Sequence, residues 1–261
     1  MARNYSMDRR AYLSALGAGT TVALAGCTSI TGGGSGTITP GTAPGFQPFE
    51  FRDGGELVGF DIDLVEAVVA ETDYELGEWQ TFEFDSLIQA LTSDKIDMIA
   101  AAMTITDERD ETIDFSDPYY SANQSVIVRE DGEFSPSSLD DLSGHPVGAQ
   151  SGTTGETVIQ SQLIEEGKLE ESNYNSYDNY VLAVEDLQNG NIDAVVVDEP
   201  VGATFADQRP VTVAFVYETG EQYGFGFRTD DDDRTEAVNA GLQAVRDNGT
   251  YEELRNEWFS G

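Results

Sequence analysis

The sequence predicts an α/β protein of two lobes, and three observations carry that prediction. Apolar stretches with a helical period of about 3.6 residues alternate with short β-rich runs, the pattern of strand–helix–strand units with parallel pairing. Two such units match each other: Leu91, Ile96 and Asp97 stand at the same offsets as Leu187, Ile192 and Asp193, each set ahead of a small or apolar strand. Finally, 261 residues with 39% hydrophobic and 10% aromatic content can bury the core of one or two domains, which excludes a disordered chain.

Taken in chain order, residues 1–27 read as an export signal. Arg9 and Arg10 precede an apolar, small-residue stretch of 16 residues from Ala11 to Gly26. A bilayer span wants roughly 20 apolar residues, so a cleaved twin-arginine signal fits better than a permanent helix. Leu24-Ala25-Gly26-Cys27 resembles a lipobox, in which Cys27 would be lipidated; an ordinary buried thiol is the alternative. Cys27 is the only cysteine, so the chain can form no internal disulfide and no cysteine zinc site. The Gly/Ser-rich residues 28–36 then form a flexible tether reaching about 15 to 18 Å.

Beyond the tether, "DIDLVEAVVAET" places Leu64, Val65, Val68 and Val69 on one helical face. "SLIQALTSDKID" and "VLAVEDLQNGNID" are expected as helices feeding the strands "MIAAAMT" and "AVVVD". "SPSSLDDLSGHPVGAQSGTTGE" opens a fresh unit, its Ser, Pro and Gly marking turns. "VTVAFV" and "YETGEQYGFGF" form a return path, and the closing "RTEAVNAGLQAVRDNGTYEELRNEWF" forms helices on the first lobe. The expected division is 37–123 with 219–261 for lobe 1 and 124–218 for lobe 2, so the chain crosses twice. Ligands of open α/β sheets bind beyond the carboxyl ends of strands. The two rims of interest are therefore Ala102 to Thr104 and Asp198.

Charge narrows the partners. Thirteen Lys+Arg stand against 49 Asp+Glu, a formal net charge of −36, which excludes nucleic acid and anionic membrane surfaces as partners. The acids are spread along the chain, and lysine is reduced to Lys95 and Lys168. Such usage suits very high salt, where charges are screened within about 3 Å at 1 M, and it resembles that of extreme halophiles. Against this background Arg109, in "AAMTITDERDETIDFSDPYY", is a scarce cation beside several acids. It could be a surface pair with Asp107, Glu108 or Asp110, or be held for an anion, for which its planar fork is suited.

"GFQPFEF", "LVGFDIDL", "FDSLIQAL", "MTITDERDETIDFSDPYY", "SGTTGE", "IDAVVVDEP" and "NGTYEELRNEWF" occur in the order and spacing of family 3 extracellular solute-binding proteins. These serve ATP-driven amino-acid importers. The resemblance covers Gly41 to Phe259 and is greatest to glutamine-binding members. It implies a type II periplasmic-binding-protein-like fold, two lobes joined by crossing strands and closing over an amino acid. It also implies a monomer that uses no cofactor and delivers its ligand to membrane permease and ATPase subunits. No G-x-x-x-x-G-K phosphate loop is present in this chain. Arg109 matches the arginine aimed at the ligand α-carboxylate, Ala102 the backbone carbonyl facing the ammonium, and Phe46 and Phe84 the aromatics around the ligand's aliphatic part. Either aromatic could instead be core.

Chemistry adds to that set. Thr104 can offer a hydroxyl to the carboxylate, unless it is only a β-forming residue. Ser151 to Thr154 precede a helix, so their N–H groups suit an anion, with Thr153 as an ordinary N-cap the alternative. Asp198 can accept from the ligand ammonium, although Asp-x-Pro also starts helices. Asp85 reads as the cap of "SLIQAL", and Tyr119 and Tyr120 as hinge residues. Ala43, Gln150 and Val197 stand where glutamine-binding members carry an acid, a lysine and a histidine. With no ionisable group left at those positions, a neutral amino acid is expected, Gln150 bonding its polar tip, because an unpaired buried charge is costly.

His145 is the only histidine, and "TDDDDR" at 229–234 lacks the spacing of a calcium loop, so no metal or catalytic set is expected. The competing functions are a cyclohexadienyl dehydratase acting on arogenate or prephenate, and a binding protein feeding a chemotaxis receptor.

Overall fold

The computed structural model describes residues 36–259. The twin-arginine segment, Cys27 and all of the tether but Gly36 lie outside the described residues. Two five-stranded mixed sheets dominate. The first runs β6 (Gln80–Thr81), β2 (Pro40–Thr42), β7 (Met98–Ile99), β14 (Gly226–Phe227), β8 (Asp114–Phe115). The second runs β11 (Tyr174–Tyr177), β10 (Val147–Gln150), β12 (Ala194–Asp198), β9 (Tyr120–Arg129), β13 (Val211–Tyr223). In both, the first three strands pair in parallel and the last two antiparallel. The smaller ladders are β1 (Thr37–Ile38) with β5 (Glu75–Leu76), and β3 (Phe51–Asp53) with β4 (Glu56–Val58).

The sequence repeat becomes a repeated joint. Arg129, ending β9, donates to the carbonyls of Leu187 (3.0 Å) and Ile192 (2.6 Å) and to the Asp193 carboxylate (3.1 Å). Arg228, just past β14, donates to Leu91 (3.3 Å), Ile96 (2.7 Å) and Asp97 (2.9 Å), the matched positions of the other unit. A guanidinium fork thus closes the same helix-to-strand turn in each sheet. Asp231, inside the acidic run at 229–234, is a mostly buried partner of Arg228 and Arg234.

Helix α1 (Phe60–Ala70) buries the expected face. Leu64 and Val68 pack in one core with Val238, Leu242 and Val245 of α7 (Asp232–Asp247). The approach is close enough that a Cβ on Gly241 would lie 2.5 Å from the Val68 carbonyl oxygen. The last helix, α8 (Thr250–Phe259), joins this group, as expected for the closing segment. The other face of the first sheet packs on α2 (Leu87–Thr92) through Leu87, Leu91, Ile96 and Ile99. In the second sheet, α5 (Tyr180–Asn189) feeds β12, starting under an Asn179 cap and ending at Gly190, φ 77°. Helix α6 (Glu199–Gln208) follows β12.

The strand expected across "MIAAAMT" is shorter than the sequence implies. It ends at Ile99, and farther on Ala102 takes a left-handed φ of 45° and turns its N–H to a side chain instead of a ladder. Tyr120, expected at the hinge, begins β9, pairs with Tyr223 at the end of β13 and stacks on its ring at 5.8 Å. Tyr119 faces the core, with its ring stacked on Phe225. The β9–β13 ladder is irregular between Tyr217 and Glu221, where Gly220 has φ 65°.

Candidate ligand-binding cleft

Arg109 sits in the one-turn helix α3 (Asp107–Asp110), whose cap Thr106 accepts the Arg109 N–H at 3.2 Å. That turn sends Asp107, Glu108 and Asp110 to solvent and Arg109 inward. Its guanidinium donates to the Thr104 carbonyl (2.6 Å) and, across the cleft, to the Gly152 carbonyl (2.9 Å), while lying 5.4 Å from the Phe84 ring centre. Burial pulls its pKa below the ordinary arginine value, and the charges of Asp198 and Glu221 oppose that pull. The surface-pair alternative does not describe it.

Around Arg109 the chain closes on a small, narrow pocket. Phe46 and Phe84 line it, as do Ala102, Gln150, Thr153 and Asp198. Ala43 lines it too, but Val197 does not: its side chain packs in the core and its carbonyl accepts the Ser125 hydroxyl at 3.0 Å. Phe46 is also packed against Tyr180 at 5.7 Å, so it serves core and pocket together.

Thr104 corrects an expectation. Its hydroxyl donates to the Glu221 carboxylate at 2.8 Å and accepts from the Thr154 hydroxyl at 3.0 Å. With its proton committed to Glu221, Thr104 offers a lone pair and not the donor expected for a carboxylate. Thr153 is the cap of α4 (Thr154–Ile159), accepting the Glu156 N–H, and its own hydroxyl donates to the Gln150 carbonyl at 2.7 Å. The N–H of Gly152, expected to suit an anion, already holds the Glu156 carboxylate at 2.6 Å. Asp85 does not cap α2. Its helix begins one residue later after a 3₁₀ turn, so Asp85 accepts from the hydroxyls of Ser86 (3.1 Å) and Ser151 (3.2 Å), the latter on the opposite rim.

Asp198 ends β12 at the start of α6, yet its side chain makes no cap bond and accepts from the Tyr223 hydroxyl instead. It is 4% exposed, and burial together with the charge of Glu221 pushes its pKa up to about 7, against the hydrogen bonds from Tyr223 and Gln124.

Three buried acids went unread in the sequence. Glu221, on β13, gathers the hydroxyls of Thr104 and Thr219 and the amide of Gln124. Asp61, in the first turn of α1, accepts from Ala102 and Tyr119. Glu50 lines the cavity at 1% exposure with neither carboxylate oxygen hydrogen-bonded among the described residues. Burial raises its pKa well above the ordinary carboxylate value, with Asp61 and Asp198 adding to the rise. The only local sign of it was an acid between two aromatics, Phe49-Glu50-Phe51.

Among the described residues no cluster of three or more metal-ligating side chains occurs, and no helix is long and apolar enough to cross a membrane.

Comparison with known proteins agrees with this architecture. A probable histidine-binding protein of Campylobacter jejuni is 35% identical, the match covering 84% of this chain and 83% of that one. The arginine-binding extracellular protein ArtP of Bacillus subtilis is 33% identical over 92% of this chain and 94% of its own. An ancestral arginine-binding protein, solved bound to arginine, superposes with a TM-score of 0.80 at 36% identity, over 85% of this chain and 98% of that one. These relatives are binding proteins and not enzymes, and so is this chain. Residues 38–261 match the family described as bacterial extracellular solute-binding proteins, family 3, and the chain belongs to it.

Proposed function

We propose that this protein captures a cationic amino acid between its two lobes, 37–123 with 219–261 and 124–218, and hands it to the permease of an ATP-driven importer. Arg109 takes the α-carboxylate. Asp198, the Ala102 carbonyl and the Thr104 lone pair accept from the ammonium, and Phe46 and Phe84 cover the methylenes. Thr153, Thr154 and Gln150 complete the far rim.

The observation that carries the choice of ligand is Glu50. A neutral amino acid was expected from the sequence because no acid was seen to face the pocket, and Glu50 removes that premise. A buried carboxylate with no partner is costly unless it takes up a proton or meets a cation. The names of the arginine- and histidine-binding relatives support the same reading. Ala43 and Gln150 at the pocket favour the neutral alternative.

Competition calorimetry of arginine, lysine, glutamine and glutamate, in molar salt, separates the two. A basic amino acid is expected to bind tightest, and Glu50→Gln to weaken it at least about tenfold, about 1.4 kcal/mol, with little effect on glutamine. Glutamine binding tightest and unaffected by Glu50→Gln makes the ligand neutral. Binding of none of the four overturns amino-acid capture. Arg109→Ala should weaken all ligands alike by about 3 to 5 kcal/mol, or two to three and a half decades.

We further propose a monomer, exported by the twin-arginine route and held outside the membrane by lipid on Cys27, in a cell living at high salt. Cys27→Ser should move the protein from the membrane pellet to the medium. Retention in the pellet rules out the anchor.

A further inference from the structure

Asp61 lines no part of the cavity, yet its geometry bears on the site. Gly59 lets α1 begin against the Pro48–Phe49 turn, where the N–H groups of Phe60 and Asp61 donate to the Pro48 and Phe49 carbonyls at 2.9 and 3.0 Å. A Cβ at Gly59, φ 140°, would lie 2.0 Å from the Phe49 carbonyl oxygen, so only glycine allows this seat. Asp61 is thereby fixed and fully buried. Its Oδ2 accepts the Ala102 N–H at 2.8 Å and the Tyr119 hydroxyl at 2.6 Å, while Oδ1 has no hydrogen-bond partner among the described residues.

Ala102 lines the cavity with φ 45°, a conformation that crowds the Cβ of an L-residue. Such a residue persists only where its surroundings hold it. The partner found for its N–H is Asp61, which comes from 41 residues earlier in the chain.

We propose that Asp61 is a positioning residue of the ligand site: its carboxylate holds Ala102 in the left-handed conformation that aims the Ala102 carbonyl at a ligand ammonium group. A merely structural Asp61 would steady the start of α1, where an acid also suits the helix dipole. In that case, replacing Ala102 would restore nothing. The proposal rests on amino-acid capture, and the experiment keeps the two apart.

The test measures arginine and glutamine binding by calorimetry in the wild type, Asp61→Ala, and Asp61→Ala combined with Ala102→Gly. Asp61→Ala should weaken binding by about tenfold or more. Adding Ala102→Gly should recover severalfold of that loss, because glycine enters the left-handed region without penalty. Normal binding by Asp61→Ala, or a loss that Ala102→Gly leaves untouched, overturns the proposal. If Asp61→Ala does not fold, Asp61→Leu, of similar size and with no acceptor, takes its place, with the same recovery expected. Proton NMR supplies a readout that needs no ligand: the Ala102 amide resonance should shift upfield in Asp61→Ala or Asp61→Leu, which remove its acceptor. An unmoved resonance overturns the proposal. The shift in the variant, together with a wild type that binds no amino acid, refutes capture and leaves the Asp61–Ala102 link standing.

Discussion

Ligand capture should release a proton from Asp198. Without ligand this carboxylate faces the Tyr223 hydroxyl, the Gln124 amide, and the carboxylates of Glu221 and Glu50, with Arg109 as the nearby cation. Burial sets its pKa at about 7. An ammonium seated against it would hold it ionised, so the apparent affinity should fall below pH 7 by the factor 1 + 10^(pKa − pH). Between pH 8 and pH 5 that is roughly 100-fold, or about 2.7 kcal/mol. The assay is calorimetry with arginine across that range in two buffers of different ionisation enthalpy, which counts the protons released. Asp198→Asn should flatten the part of the profile that Asp198 contributes. Affinity independent of pH, or proton uptake on binding, refutes the assignment. The same shift fixes the stability of the free protein. Above about pH 4 the unfolded carboxylate has lost the proton that the native state keeps, so the native state binds more protons. Stability should therefore fall as pH rises from about 4 to about 7 and then level off, by about 4 kcal/mol for Asp198. Asp61, also pushed up to about 7 by burial, contributes in the same direction.

Arg129→Lys and Arg228→Lys should each cost about 2 kcal/mol in urea unfolding, since an ammonium cannot reach two carbonyls and a carboxylate at once. Changes below about 0.5 kcal/mol in both would mean that the two joints do not depend on the guanidinium fork. Dialysis from molar salt to about 0.1 M lengthens screening to about 10 Å, so a chain with 49 acids should melt at lower temperature. An unchanged melting temperature sinks the high-salt reading.

What was legible in the sequence is what repeats locally. The buried face of α1 followed from spacing alone, and the matched Leu, Ile and Asp positions marked two repeated units, though not the arginine that closes each turn. Arg109 and Asp198 stood out because their chemistry and motif agreed, and both line the pocket. The unread acids share a different origin. In a chain so rich in Asp and Glu, nothing local marks which of them closure will bury. Glu221 faces inward where the ladder slips beside Gly220, and it sets the donor direction of Thr104 from 117 residues away. Asp85 misled the reading because a 3₁₀ turn delays α2 by one residue, which moves the cap position to Ser86.

The paired arginine joints also show what an arginine does in this chain that a lysine could not. Arg52, Arg109, Arg129, Arg228 and Arg246 all donate to main-chain carbonyls. A lysine that contributes only a surface charge can drift to an acid at little cost to the fold. An arginine that staples backbone has no such neutral replacement, because its shape is being used as well as its charge. Losing a lysine that only carries surface charge is therefore cheap for the fold, and losing an arginine that staples backbone is not.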